Sequence, residues 1–308
     1  MSERFDIVAL GEAMIEFNAA RAADARTWLQ GFGGDTSNMA IAAARLGART
    51  GYVTRVGNDA FGRQLLALWR DEGVAVDGVT VDDDAPTGVY FVAHGAHGHE
   101  FSYLREGSAA SRMTPASLPL AVLRATRVLH LSGISQAISS SACDACFAAI
   151  DAARTAGARI AYDTNLRLRL WPLARARAVI LATLRVADWA LPGYDDAKLL
   201  FDSADPMQIV DQCHALGPGI VVLKLGHAGC LVSDGRRRER IEAVRVDAVD
   251  ATGAGDCFDG AFAARMVAGD DAFTAARYAN CAAALATTGY GAVAPLPRGV
   301  DVERFGRG

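Results

Sequence analysis

The sequence lacks any long apolar run: none approaches the ~20 residues that a membrane-spanning helix needs. It has little net charge, −4 at pH 7, and one compact basic run, residues 236–238, set between Asp234 and Glu239. A general nucleic-acid binder shows a basic stripe, so those three arginines are read as a solvated hairpin tip. Lysine is almost missing; Lys198 and Lys224 are the only two, and arginine carries the other positive charges. Cysteine occurs six times but only once as a close pair, Cys143-x-x-Cys146, in a helix-like stretch. Neither a second pair nor a nearby histidine completes a zinc site, so free, buried thiols are expected. MSERFDIVALGE at the N-terminus has none of the charged, apolar and cleavage regions of a secretion signal, and a soluble, cytoplasmic protein is the expectation. There is no repeat of about 20 to 50 residues and no low-complexity linker. The 308 residues, 51% hydrophobic, therefore suffice for a large core.

What is present alternates. FDIVALGEAMIEF (5–17) is strand-like and broken by Gly11; GGDTSNMAIAAARLGA (33–48) predicts a helix that Asp35, Thr36 or Ser37 caps and Gly47 ends. RTGYVTRVG reads as a strand and DAFGRQLLALWRDEG as an amphipathic helix stopped at Gly73. Residues 87–107 then read as two short strands around a Gly- and His-rich turn. From about residue 125 strands and helices alternate again, through ARIAYDTN, ADWALPG, GIVVLKLG and a hairpin turning at Asp234-Gly235, to two closing helices near 254–268 and 271–288. Such alternation predicts a mostly parallel sheet covered on both faces. The segments at 11–32 and 87–107 do not fit that sheet and predict a small accessory sheet. Its apolar face would need covering, which predicts a homodimer or higher homo-oligomer through the lid.

The densest chemistry lies in DATGAGDCFDG, residues 250–260. A helix start exposes about four unpaired N–H groups and roughly half a positive charge. Gly253 and Gly255 remove side chains that would hold an anion off, so the turn can cradle a phosphate or developing oxyanion. Asp256, in the first turn, is a poor phosphate ligand but is well placed to take a proton from an attacking hydroxyl. An ordinary helix start capped by Thr252 would account for a bare Gly-Ala-Gly equally well.

The full string D-x-T-G-A-G-D-x-F-x-G resembles the C-terminal signature of the ribokinase-like sugar kinases, the PfkB carbohydrate kinases. Residues 33–62, with a Gly-Gly turn, an Asn on the following helix and G-x-D-x-F-G, resemble that family's N-terminal signature. The likeness implies a single α/β kinase domain over 1–308: a ribokinase-like, doubly wound, mostly parallel sheet with helices on both faces, plus a small β-sheet lid. It implies ATP as donor, Mg²⁺, and a small-molecule sugar as acceptor; charge and the missing apolar runs already argue against nucleic acid or membrane as partner. P-loop, protein-kinase and dinucleotide fingerprints are missing.

Within the family, FSYLREGSAASRMTP (101–115), DTNLRLRLW (163–171) and LPGYDDAKLLF (191–201) resemble 2-keto-3-deoxygluconate kinases, enzymes that serve Entner–Doudoroff-type or uronate-degrading routes. An aldonic acid carries a carboxylate that guanidinium groups can clamp, whereas fructose or ribose does not. By resemblance, Tyr90, Tyr103 and Arg105 hold the acid end, and Gly34, Asp35 and Asn38 hold sugar hydroxyls. Asn165 and Arg167 follow a strand end, and Arg167 steadies the transferring phosphoryl. Asp256 is the base for the C6 hydroxyl; Gly253, Ala254 and Gly255 form the anion hole. Lys224, Gly226 and Gly229 line the nucleotide, and Asn280 lies near the adenine. The residues alone leave other roles open: hairpin packing for the tyrosines, a surface charge for Arg105 and a strand-end cation for Lys224. Arg169 reads as structural or surface, Tyr162 as core and His227 as a solvated turn. Where the family carries N-x-x-E near its metal, this chain has Gly193 and Asp196, leaving Asp196 as the metal candidate. The rivals are a fructokinase, ribokinase or other sugar-acid kinase, and a non-catalytic sugar- or nucleotide-binding module.

Overall fold

The computed structural model describes residues 5–19, 27–95 and 98–306. Residues 20–26 and 96–97, which the sequence reading counted in the lid, lie outside the described residues. The chain opens with β1 (Phe5–Leu10), β2 (Met14–Ala19), β3 (Trp28–Gly33), α1 (Asp35–Arg45), β4 (Thr50–Gly57), α2 (Ala60–Asp71) and β5 (Ala75–Asp82). A hairpin of β6 (Val89–Gly95) and β7 (Gly98–Leu104) follows. The central part runs α3 (Leu120–Arg124), β8 (Thr126–Ser132), α4 (Gly133–Ala137), α5 (Ser140–Thr155), β9 (Arg159–Asp163), α6 (Leu173–Leu184), β10 (Trp189–Ala190), α7 (Tyr194–Phe201) and α8 (Pro206–Leu216). The last part is β11 (Ile220–Lys224), β12 (Cys230–Ser233), β13 (Arg238–Ile241), α9 (Ala254–Ala268), α10 (Ala272–Ala286) and α11 (Gly299–Phe305).

Nine strands form one sheet in the order β13-β12-β11-β10-β9-β8-β1-β4-β5. From β5 through β11 every pairing is parallel, and the β11–β12–β13 edge is antiparallel. Side chains alternate across a strand, so a sheet covered on both faces divides the core in two. On β1, Ile7 and Ala9 enter a core shared with α1, α9 and α10, while Val8 and Leu10 enter a second core with α5, α6 and α8. This is the mostly parallel, doubly covered sheet that the alternation predicted, and it matches the ribokinase-like fold that the resemblance implied.

The accessory sheet has the order β3-β2-β6-β7. One face is seated on the large domain: Phe17 stacks on Phe91 with ring centroids 5.4 Å apart and meets Phe61 of α2 edge-on at 5.8 Å. On the opposite face Tyr90 lies across from Tyr103, their centroids 5.8 Å apart. Both line a cavity between this sheet and the ends of the parallel strands.

Some local expectations are corrected. No side chain of Asp35, Thr36 or Ser37 caps α1; its N-cap is Gly34, at φ 118°. Asp35 turns its carboxylate toward Ser132 and Asn165 instead. Thr252 does not cap α9 either, because its hydroxyl donates back to Asp250. Strand β10 is two residues long, and α11 follows the two helices expected to close the chain. All six cysteines are free, five of them buried, and Tyr162 is fully buried. Among the described residues no helix is long and apolar enough to cross a membrane.

Candidate active site

Open parallel sheets place ligands at the carboxyl ends of their strands, where the chain must turn and backbone groups are left over. Here β9 ends at Asp163 and β11 at Lys224, Glu12 lies two residues beyond the end of β1, and all three residues line one cavity of about 1460 Å³. Helix α9 points its N-terminus into the same space. Its N-cap, Gly253, sits at φ 77° with no side-chain cap, and Gly253, Gly255 and Asp256 line the cavity. The Ala254 N–H is already donated to the Ala251 carbonyl at 3.2 Å, so the N–H groups of Gly255 and Asp256 are the ones left for an anion.

Asp256 is oriented by Asn38, whose Nδ2 donates to Oδ2 at 2.8 Å. Burial lifts its carboxyl to about 8; the negative charge of Asp35 adds to the rise, and the Asn38 hydrogen bond opposes it. Asp35, on the first turn of α1, accepts from Ser132 and from Asn165 Nδ2 at 3.0 Å through a single oxygen, Oδ2. Its Oδ1 is buried with no partner, as is Oδ1 of Asn38. Buried acceptors without donors are costly, and two at the wall of one cavity suit a ligand bearing hydroxyl groups. Asn165 holds its place at φ 26°, with its N–H donating to Asp163 at 3.1 Å.

The lid supplies the other wall. Tyr90 donates its hydroxyl to Glu16, and Tyr103 is 41% exposed beside it. Arg105 Nη2 donates to Glu12, itself buried and also accepting from Ser108. The guanidinium lies 5.8 Å from the Tyr103 ring centroid, and its buried Nε has no partner. Arg167 donates to the Leu166 carbonyl at 2.9 Å and stays half-exposed at the cavity wall. Arg169 donates to the carbonyl of Phe101 at 3.1 Å, a contact from the loop after β9 to lid strand β7.

Lys224 is more constrained than a strand-end cation. Its Nζ donates to Asp163 at 3.0 Å and to both oxygens of Asp259 at 2.9 and 3.0 Å. Burial alone would lower its pKa, but the two carboxylates outweigh that and raise it. The ammonium lies beside the α9 entrance: a Cβ on Gly255 would sit 3.8 Å from Nζ. Gly226 and the exposed His227 line the cavity nearby.

Three expected residues stand apart from the lining. Ala254 begins α9 between the two glycines, and its N–H is spent on the Ala251 carbonyl at 3.2 Å. Gly229, at φ 84°, packs where a Cβ would strike the Ile241 carbonyl. Asn280 points its amide at Cys230 and at the carbonyls of Ile241 and Glu242, because α10 packs on the β12–β13 edge. Conversely, Glu12, Asp163 and Asp259 belong to the site or its support and were missed. The available signals were the acid just after strand β1, the Asp two residues before Asn165, and the acid one helical turn after Asp256.

Asp196 lines the cavity at the start of α7. Its Oδ2 accepts from the Leu166 N–H at 2.9 Å and lies 4.0 Å from Arg167 Nη1. Burial pushes this carboxyl up to about 6, although Arg167 opposes the rise. Among the described residues no three His, Cys, Asp or Glu side chains gather as a metal cage. One carboxylate fits a Mg²⁺ ion held mainly by phosphate oxygens and water.

Residues 4–298 match the profile of the pfkB family carbohydrate kinases. The 2-dehydro-3-deoxygluconokinase of Thermoproteus tenax is 35% identical over 97% of this chain and 93% of its own length. Probable fructokinase-4 of Arabidopsis thaliana is 33% identical over 99% of this chain and 98% of its own. A putative ribokinase II from E. coli, solved in complex with ATP and Mg²⁺, superposes with a TM-score of 0.91 at 26% identity, covering 98% of this chain and 99% of that one.

Proposed function

This chain belongs to the pfkB family of carbohydrate kinases, and from that premise we propose that it moves the terminal phosphoryl of ATP to the C6 hydroxyl of 2-keto-3-deoxygluconate. The product is 2-keto-3-deoxy-6-phosphogluconate. The observation that carries the kinase chemistry is Asp256, held by Asn38 beside the uncapped N-terminus of α9 in a lid-covered cavity. Asp256 takes the hydroxyl proton as the oxygen attacks, and the α9 amides take up charge on the migrating phosphoryl. The vacant acceptors on Asp35 and Asn38 bind sugar hydroxyls and fix the alcohol against Asp256. Mg²⁺, when bound with the nucleotide, would neutralise phosphate charge, and Asp196 is the side chain that would hold its water shell.

The acid end is assigned to Arg105 and Arg167. Arg105 keeps a buried Nε with no partner, and Arg167 reaches the same cavity from the loop after β9. A second reading, fructose as acceptor, is favoured by the Arg105–Glu12 ion pair, which offsets the cation that an acid would use. A coupled assay with ATP, Mg²⁺ and a panel of keto acids and neutral ketoses separates the two. The keto acid is expected to have the highest kcat/KM, and a higher value for fructose overturns the choice. Arg105→Ala is expected to raise KM for the acid roughly tenfold, against little change for a neutral sugar. Equal effects on both would remove Arg105 from the clamp.

A further inference from the structure

Glu12 lies where the chain leaves the large sheet for the lid, between β1 and β2, and it lines the cavity. Its side chain is fully buried, and it accepts from Arg105 Nη2 and Ser108 Oγ. Arg105 is itself only 12% exposed. The pair is therefore a buried anion matched to a mostly buried cation on one wall of the substrate cavity, one member from each side of the lid junction. Its orientation is uneven. Glu12 spends both oxygens on protein donors, whereas Arg105 keeps Nε unpartnered.

Electrostatics gives this pair a consequence for the choice of substrate. An uncharged sugar responds weakly to whether the wall is neutral or positive. An acceptor with a carboxylate feels the guanidinium and, with opposite sign, the carboxylate behind it. Discrimination between the two classes is a difference of affinities, so a group repelling one class sets specificity as surely as a group attracting the other. We propose that Glu12 is a specificity-determining residue that offsets Arg105 and so sets the preference between sugar acids and neutral sugars. This rests on the sugar-kinase reading but not on which sugar the wild-type protein prefers.

The readout is the ratio of kcat/KM for 2-keto-3-deoxygluconate to that for fructose, compared with the wild-type ratio. Glu12→Gln keeps the shape and one acceptor oxygen for Arg105 and Ser108 while removing the charge. It is expected to raise the ratio about tenfold. Arg105→Gln, leaving Glu12 unmatched, is expected to lower the ratio. Glu12→Gln/Arg105→Gln has no charge left over and is expected to return it near the wild-type value. Buried pairs removed together are tolerated better than single members, so the double variant against Arg105→Gln tests the same step if Glu12→Gln alone does not fold. A ratio that Glu12→Gln leaves unchanged, or a double variant no higher than Arg105→Gln, overturns the proposal. The wild-type ratio separately decides the substrate, so the two ideas fail on different measurements.

Discussion

Asp256 faces two demands that pull apart. As a base it must be ionised, yet burial and the charge of Asp35 lift its carboxyl from 3.8 to about 8. Turnover is therefore expected to fall as pH drops through about 8, with kcat/KM against pH giving the midpoint. Asn38 stabilises the ionised form, so Asn38→Ala is expected to move that midpoint upward. A midpoint in the ordinary carboxylate range, or one indifferent to Asn38, would contradict the assignment. The linkage has a definite sign: with the folded pKa raised, the native state binds more protons than the unfolded chain between about 4 and 8, so this group's contribution to stability declines as pH rises through that window. Asp256→Asn is expected to cut kcat by about 10²- to 10⁴-fold while sugar affinity, measured by calorimetry, stays near the wild-type value. Asp256 was legible because it sits in a string whose glycine pair has little use in a plain helix start, whereas Asp35 and Asn38 were reached only through the resemblance of residues 33–62 to a family signature. Glu12 and Asp259 were missed, because a buried acid is recognised by its partner. Arg105 lies 93 residues from Glu12, and Lys224 lies 35 from Asp259.

At the scale of the element, the site depends on how α9 begins. Gly253 occupies the left-handed region at φ 77°, and a Cβ there would meet the Ala292 carbonyl oxygen at 3.0 Å and its Cα and Cβ at 3.1 Å. The conformation alone costs a side-chain-bearing residue about 1 to 2 kcal/mol. Gly253→Ala is thus expected to lower Tm by a few degrees and to raise KM for ATP more than KM for the sugar, since the strain relaxes by moving the anion-binding amides. An unchanged Tm with unchanged nucleotide kinetics would remove this turn from the mechanism. Most elements were readable because apolar spacing and glycine stops agree, as in α2, where Gly73 follows the last turn. Strand β5 was overlooked: AVDGVTVD is interrupted by Asp77 and Gly78, and it is held by pairing with β4 rather than by its own pattern. The caps failed for a related reason. Asp35 and Thr252 are good capping residues, but Ser132, Asn165 and Asp250 compete for their side chains through contacts that local sequence does not show.

Over the whole molecule, two sheets bound one cavity: the large one presents the α9 entrance and strand ends, and the small one supplies Tyr90 and Tyr103 to the opposite wall. The division was visible in sequence as a hairpin with no helix, interrupting an otherwise alternating chain. The seating of the small sheet was not visible, because Phe17 and Phe61 meet only after folding. That seating covers part of the lid. Trp28 and Leu29 on edge strand β3 remain 37% and 62% exposed, and Tyr103 and Leu104 on edge strand β7 remain 41% and 67% exposed. Apolar side chains on open sheet edges favour association with a like surface. A homodimer or higher oligomer through the lid is therefore the expected state. Light scattering should give a mass at least twice the 32.4 kDa of one chain. Leu29→Glu combined with Leu104→Glu should shift it to 32.4 kDa, because charges buried in a closing interface are repelled and desolvated. A wild-type protein that stays monomeric across the accessible concentration range would show that the lid serves the acceptor alone.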